Sequence, residues 1–202
     1  MPRTSSPADM SPAARRTRKL IVDAGIAVLA ERTSATLAEI ADAADVSRST
    51  LHRHFTDRND LLAAIDAECR VRFDRAASAA RLGEGGALDA MDRLAQEYLG
   101  MGLVLGLVFA DNAPVDPDGW DRGDEGDGLT ATIASGQRDG DVDPELSAEW
   151  VETTFWTLLF SAWLSLQGGT SRRDVAFQLS RTLRKAFGHS ASGGEAGPGA
   201  GK

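Results

Sequence analysis

The segment from Thr36 to Phe55 constrains the fold of this chain more than any other part of the sequence. It begins with a capping box, Thr36-x-x-Glu39, in which each side chain satisfies a backbone amide near the start of a helix. Helical spacing of small and apolar residues continues to Ala44, and a break at 45–47 precedes a second short helix. Two short helices joined by a tight turn predict a helix-turn-helix.

The residue types in this segment suit two helices that cross closely. Ala41 is small where the crossing needs space, and Ser47 is a suitable N-cap for the second helix. Apolar residues are spaced to fill the wedge between the helices: Ile40, Ala44, Val46 and Leu51. The exposed positions of the second helix then carry hydrogen-bond donors, which are Arg48, Ser49, Thr50, His52, Arg53 and His54. A short helix with such donors fits a DNA major groove.

The reach of each side chain predicts its role on DNA. Arg48 lies at the start of the second helix, where a bidentate contact to guanine is the natural use of a guanidinium. Arg58 lies in the first turn of the next helix, where the helix dipole disfavours it, and a phosphate contact would explain its presence. We expect the DNA-binding set to be Thr36, Ser47, Arg48, Ser49, Thr50, His52, Arg53, His54 and Arg58.

The run from Thr36 to Leu62, with its capped helix, Val-Ser-Arg-Ser-Thr-Leu and His-Phe, resembles the DNA-binding region of the TetR/AcrR family. The resemblance covers about residues 12–65. It implies a three-helix DNA-binding domain (11–57), an all-α effector and dimerisation domain (58–187), and a homodimer that binds a double-stranded operator. Two positions depart from the family pattern: Asp45 replaces a frequent turn glycine, and His52 replaces a usual tyrosine.

The remainder of the sequence predicts helices throughout, so the fold class is all-α: an N-terminal three-helix domain with a helix-turn-helix, plus a C-terminal helical bundle for ligand binding and dimerisation. Ser11-Pro12 starts the first helix, and Asp57 caps the fourth, which runs to about Arg81. Further helices are expected at about 88–111, 129–137, from Asp143-Pro144 to Gly168, and from Ser171 to 187. An acidic loop at 111–128 and disordered tails at 1–10 and 188–202 complete the prediction.

Charge is distributed unevenly along the 202 residues, whose net charge is −8. Residues 1–62 carry nine Lys and Arg against eight Asp and Glu, a net of +1, so the remaining 140 residues carry −9. Any DNA contact must therefore be confined to a small basic face near the N-terminus.

The single cysteine, Cys69, excludes an internal disulfide, and the apolar stretch 99–110 is too short to span a membrane. We expect a cytoplasmic protein without a membrane partner.

Other motifs do not predict a catalytic or metal site. His52 and His54 point about 200° apart on a helix, so they cannot share an ion without other ligands. Asp139-x-Asp141-x-Asp143 begins like a calcium loop, but Pro144 takes the place of the required glycine. We expect no cofactor and no enzymatic activity. The rival hypothesis is a helical small-molecule-binding or enzymatic protein without a DNA function.

Two further sets of residues are predicted from apolar spacing. An effector pocket for an unidentified small molecule would be mostly apolar, and its candidates are Met101, Leu105, Phe109, Trp156 and Phe160. The helix near residues 150–167 is apolar nearly all round, which predicts partners on both sides. The predicted dimer interface is Phe155, Leu159, Ala162, Trp163, Leu166, Val175, Leu179 and Leu183. The small molecule is expected to change the separation of the two DNA-binding heads through the fourth helix and so release DNA.

Overall fold

The computed structural model describes residues 10–110, 115–116 and 128–189. Within these ranges every regular element is an α-helix, which confirms the predicted fold class. In chain order the helices are α1 (Pro12–Glu31), α2 (Leu37–Ala43), α3 (Arg48–His54), α4 (Arg58–Ala80), α5 (Ala87–Leu99), α6 (Gly102–Val108), α7 (Leu129–Asp139), α8 (Ala148–Gln167) and α9 (Arg172–Phe187). The predicted acidic loop and both predicted tails lie largely outside the described residues.

Two helix boundaries differ from the sequence prediction. The single helix expected at 88–111 is interrupted between α5 and α6, where the Gly100 amide donates to the carbonyls of Gln96 (3.1 Å) and Glu97 (3.0 Å). Glycine has low helix propensity and favours such an end, although apolar spacing continues across it. Helix α8 begins at Ala148, capped by the Ser147 hydroxyl, rather than at Asp143. The Asp143 carboxylate instead accepts from the Glu145 amide at 2.9 Å in a separate turn.

The described residues divide into two compact units. The first comprises those within 1–80 and 94–122, and the second comprises those within 81–93 and 123–202. This division by packing differs from the functional division predicted after residue 57, which remains a prediction. No helix among the described residues is long and apolar enough to cross a membrane.

The first unit is organised around α1, which packs against α2, α4 and α6. Its core consists of side chains that are at most 1% exposed, including Ile21, Leu29, Ile40, Leu61 and Ile65. Each such aliphatic side chain contributes about 1.5–3 kcal/mol through burial, so this core fixes the short helices α2 and α3 on a rigid base.

The second unit is built on α7, α8 and α9, with α8 packed against both of the others. Two hydrogen bonds hold the C-terminal end of this unit. The Asp143 amide donates to the Phe187 carbonyl (2.8 Å), and the His189 amide donates to the Asp141 carbonyl (3.2 Å). Gly188 and His189 therefore belong to the folded part of the chain, although the sequence prediction placed them in a disordered tail.

Candidate nucleic-acid interface

The start of α2 is fixed by the predicted capping box. The Thr36 amide donates to the Glu39 carboxylate at 2.7 Å, and the Glu39 amide donates to the Thr36 hydroxyl at 3.3 Å. The Arg32 guanidinium bonds the same carboxylate, and together these donors lower the pKa of Glu39 from 4.5 to about 2. The hydroxyl and the amide of Thr36 both belong to the capping box, so the role of Thr36 in the structure is to hold the start of α2.

The turn between α2 and α3 depends on a left-handed residue. Asp45 has a φ of 53°, and its amide donates to the Asp42 carbonyl at 3.1 Å. The Val46 amide donates to the Ala41 carbonyl at 3.0 Å, which closes the turn. Aspartate adopts this conformation more readily than most residues, so the turn forms without the glycine that the family pattern favours.

The start of α3 is held by a cluster of hydroxyl groups. The Ser47 hydroxyl accepts from the Thr50 amide at 3.1 Å, as the sequence predicts for an N-cap. It also lies 2.9 Å from the hydroxyls of both Ser49 and Thr50. This cap fixes the backbone at the end of α3 that would approach DNA bases.

The exposed side of α3 is cationic. Arg48, His52 and Arg53 are all exposed, and Arg48 makes no hydrogen bond or ion pair with any residue in the described ranges. Leu51, in the same helix, is only 1% exposed and packs into the core. The helix therefore presents arginines outward on a buried apolar support, which is the arrangement that major-groove contact requires.

His54 occupies a more enclosed position than its neighbours. It is half-buried at the end of α3, and burial together with repulsion from Arg53 and Arg18 lowers the pKa of its imidazole. The ring is therefore neutral at pH 7, and a phosphate contact from it would be a hydrogen bond rather than an ion pair.

Arg58 is engaged by carbonyls of its own chain. Its guanidinium donates to the Thr33 carbonyl at 2.8 Å and also to the Ala35 carbonyl, and it is partly buried. These carbonyls lie in the loop after α1, where no helical amide is available to satisfy them. Arg58 thus ties the start of α4 to the loop that precedes α2, and its predicted phosphate contact stays a prediction.

Arg18 is a residue of this site that sequence reasoning missed. Its guanidinium carbon lies 4.2 Å from the centre of the Phe55 ring, and one nitrogen donates to the His54 carbonyl at 3.0 Å. The contact joins α1 to the end of α3 across 36 residues of sequence. No local pattern marks it, because helical periodicity shows only that Arg18 lies beside an apolar stripe.

The predicted pocket residues lie in different surroundings. Leu105 is fully buried, and Met101 and Phe109 are partly buried, all three in the first unit. Trp156 is partly buried in the second unit and lies edge-on to Phe155, with ring centres 5.9 Å apart. Phe160 is 37% exposed and stacks on Trp163, with ring centres 6.0 Å apart.

The predicted dimer interface is corrected for six of its eight residues. Phe155, Leu159, Ala162, Val175, Leu179 and Leu183 are at most 7% exposed within the chain itself. Their apolar surface is consumed by packing inside the second unit, so they are not available to a second copy. Trp163 and Leu166 remain partly exposed. The large apolar side chains that are exposed on these helices are Trp150, Phe160, Leu164 and Phe177, with exposed fractions of 61%, 37%, 49% and 66%.

The residues considered for other chemistry have structural roles. Residues 10–110, 115–116 and 128–189 contain no cluster of three or more histidine, cysteine or acidic side chains that could hold a metal ion. Cys69 is buried, which raises the pKa of its thiol to about 12 and removes the thiolate that nucleophilic chemistry needs. Asp141, from the calcium-like sequence, accepts from the Leu88 amide at 2.8 Å and caps α5.

Two short capped helices, a left-handed turn between them and an outward row of cations define a helix-turn-helix DNA-binding protein. Residues 21–65 match the family described as "Bacterial regulatory proteins, tetR family". The HTH-type transcriptional repressor LfrR of Mycolicibacterium smegmatis is 31% identical over 183 residues, which cover 89% of this chain and 94% of LfrR. The chain belongs to the TetR family of transcriptional regulators.

Two further comparisons agree with this placement. The HTH-type transcriptional regulator NfxB of Pseudomonas aeruginosa is 29% identical over 86% of this chain and 93% of its own length. The crystal structure of LfrR in complex with proflavine superposes with a TM-score of 0.62 at 26% identity, covering 83% of this chain and 95% of that chain. The N-terminal helix-turn-helix and the helical remainder are therefore those of a TetR-family regulator.

Proposed function

We propose that the protein is a repressor that binds a palindromic operator as a homodimer and leaves it when a small molecule binds. The observation that carries the proposal is Arg48: it is exposed at the capped start of α3 and is not engaged by the described part of the chain. A guanidinium in this position is suited to a guanine edge. Arg53 and His52 follow as backbone contacts, and the hydroxyls of Ser49 and Thr50 contact either bases or phosphates.

The test of DNA recognition begins with selection of bound duplexes from a random library by the full chain. Arg48→Ala should weaken binding to the selected duplex by about 1–3 kcal/mol and relax preference at one base position. Lys185→Ala is a matched control, since Lys185 is an exposed cation on α9 within the second unit. Unchanged affinity and preference in the Arg48 variant would show that α3 is not the recognition helix.

A second copy is proposed to cover three of the four large exposed apolar side chains of α8 and α9: Phe160, Leu164 and Phe177. Exposed apolar groups on adjacent helices are typical of interfaces between copies. A dimer also offsets the weak net charge of a single DNA-binding head, because two heads bind half-sites about 34–36 Å apart.

Sedimentation equilibrium tests this surface. Leu164→Lys combined with Phe177→Lys should convert a dimer into a monomer, since two like charges would face an apolar partner. Leu20→Lys is the matched control, because Leu20 is 57% exposed on α1 in the first unit. A wild-type monomer, or a dimer that survives both lysines, would contradict the proposed interface.

The effector is proposed to be a small, largely apolar molecule, with Met101 and Phe109 of the first unit as candidate contacts. Proflavine is the first probe to use, because a solved structure of the similar LfrR holds it. If it binds the native state, it should raise the melting temperature and release the selected duplex at the same concentration. A rise in melting temperature with no effect on DNA binding would contradict the proposed coupling.

The proposed place of action is the cytoplasm, where the operator is accessible.

A further inference from the structure

The C-terminal end of α3 requires an external support. A helix leaves its last four carbonyls without intrahelical partners, and α3 has seven residues, so about half of its carbonyls are in this position. The chain becomes extended directly afterwards at Phe55, with φ −138° and ψ 121°. The orientation of so short a helix therefore depends on what holds its two ends. Ser47 holds the first end, and α1 supplies the support for the other.

We infer that Arg18 is a positioning residue for DNA recognition. Its contacts with the His54 carbonyl and the Phe55 ring, which together we call the clamp, hold the end of α3 against α1 and so fix the angle of α3. The inference rests on the proposed role of α3 as the recognition helix. Arg18 would contact no base and no phosphate itself.

The geometry of the clamp supports a role that only arginine fulfils well. The guanidinium carbon lies over the Phe55 ring, 4.2 Å from its centre, while one of the guanidinium nitrogens donates to the His54 carbonyl at 3.0 Å. Phe55 is only 1% exposed, so the ring cannot shift to follow a displaced helix end. A lysine could provide the charge, but not the planar fork that makes both contacts together.

The charge of the clamp is also well placed. A cation at the C-terminal end of a helix interacts favourably with the partial negative charge of the last carbonyls. Arg53, the other arginine in the last turn of α3, is exposed. Arg18 thus neutralises the helix end from the protein side and leaves the opposite side open for DNA.

The test compares Arg18→Met, Arg18→Lys and Arg48→Ala on the duplex selected by the wild-type chain, with a scrambled duplex as reference. Arg18→Met should lower the ratio of specific to non-specific affinity about tenfold, and Arg18→Lys should restore part of it. Each measurement is made at a temperature where circular dichroism shows the variant fully folded. Arg16→Met is the matched control, since Arg16 is an exposed arginine on the same helix.

Salt dependence separates positioning from direct contact. A lost phosphate contact reduces the slope of log affinity against log salt by about 0.9, whereas a lost clamp leaves the slope of non-specific binding unchanged. A reduced slope in Arg18→Met would overturn the inference, because it would place Arg18 on a phosphate.

The titration of His54 provides a readout that a general loss of stability would not move. Arg18 is one of the charges that lower the pKa of this imidazole, so its pKa should rise in Arg18→Met and stay low in Arg18→Lys. The chain has three histidines, and comparison with His54→Asn assigns the signal in NMR spectra. Unchanged His54 titration and unchanged specificity in Arg18→Met would overturn the clamp. If Arg48→Ala also has no effect on specificity, the proposed role of α3 as the recognition helix is wrong, and the inference that rests on it falls with it.

Discussion

Asp45 shows how one residue adapts the helix-turn-helix to a sequence without the usual glycine. Its φ of 53° is the left-handed region, which costs most residues about 1–2 kcal/mol and aspartate somewhat less. The side chain is exposed, so replacing it removes no packing. The conformation of the backbone is therefore the feature that substitutions at this position would test.

We predict that Asp45→Gly raises the free energy of unfolding by up to about 1 kcal/mol and that Asp45→Ala lowers it by about 1 kcal/mol. Glycine relieves the left-handed strain but gains entropy in the unfolded chain, which limits the increase. Urea denaturation of the three proteins under identical conditions measures both changes. Equal stability of the glycine and alanine variants would contradict the role assigned to the turn.

Glu39 makes the capping box sensitive to acid. Because its pKa falls from 4.5 to about 2 on folding, the ionised carboxylate stabilises the native state above pH 4.5, and this contribution is lost as the pH falls towards 2. The stability of the wild type should therefore exceed that of Glu39→Gln at pH 6, and the difference should shrink between pH 4.5 and 2. A difference independent of pH would show that the Arg32 and Thr36 contacts do not hold the charged form.

The arginines show what the sequence could not predict at this scale. Arg18 and Arg58 bind carbonyls that are 36 and up to 25 residues away, and neither contact leaves a local pattern. The position of Arg58 in the first turn of α4 predicted a phosphate contact, and the fold adds that its guanidinium satisfies two loop carbonyls. Arg48 was identified correctly as an exposed residue of α3, because its exposure follows from the apolar positions on the same short helix.

At the scale of elements, the starts of α1, α3 and α9 were predictable because their capping chemistry is local, whereas the start of α8 was misplaced by five residues. Ser11, Ser47 and Ser171 each accept an amide hydrogen bond from three residues ahead, as the sequence indicates. The interruption between α5 and α6 was not predictable, since apolar spacing continues through Gly100. The apolar faces of α8 and α9 were found correctly, but periodicity does not reveal whether such a face meets its own chain or a second copy.

The packing of α7 against the start of α5 depends on a glycine. A Cβ on Gly136 would overlap the Cβ of Ala87 and come within 2.9 Å of Val142 Cγ2, both of them short and rigid side chains. Gly136→Ala should lower the free energy of unfolding by about 1–3 kcal/mol through overpacking.

Gly102→Ala is the matched control for this prediction, because Gly102 is also helical but has nothing within 4 Å of the added Cβ. It should leave stability unchanged or raise it by up to about 1 kcal/mol, since alanine favours a helix. Thermal and urea unfolding of both variants measure the contrast. Similar effects at the two glycines would contradict the close packing described for α7.

For the whole molecule, the central claim is that α3 recognises a specific DNA sequence from each of two copies. The acidic excess of −9 in residues 63–202 means that binding cannot rest on charge alone, since most of the surface repels DNA. Under the proposed function, specific affinity depends on correctly placed base contacts and on the pairing of two copies of the DNA-binding helices. The membership of the TetR family agrees with this requirement, and the exposed apolar groups of α8 and α9 offer a means of pairing.

A DNase footprint over the DNA upstream of the gene for this chain tests the claim most directly. The account predicts a protected segment with two inverted half-sites about one helical turn or a whole multiple of it apart. Arg48→Ala should abolish that protection at concentrations where the wild type saturates the site. Protection by the variant equal to that of the wild type, or a wild-type footprint without paired half-sites, would contradict the account.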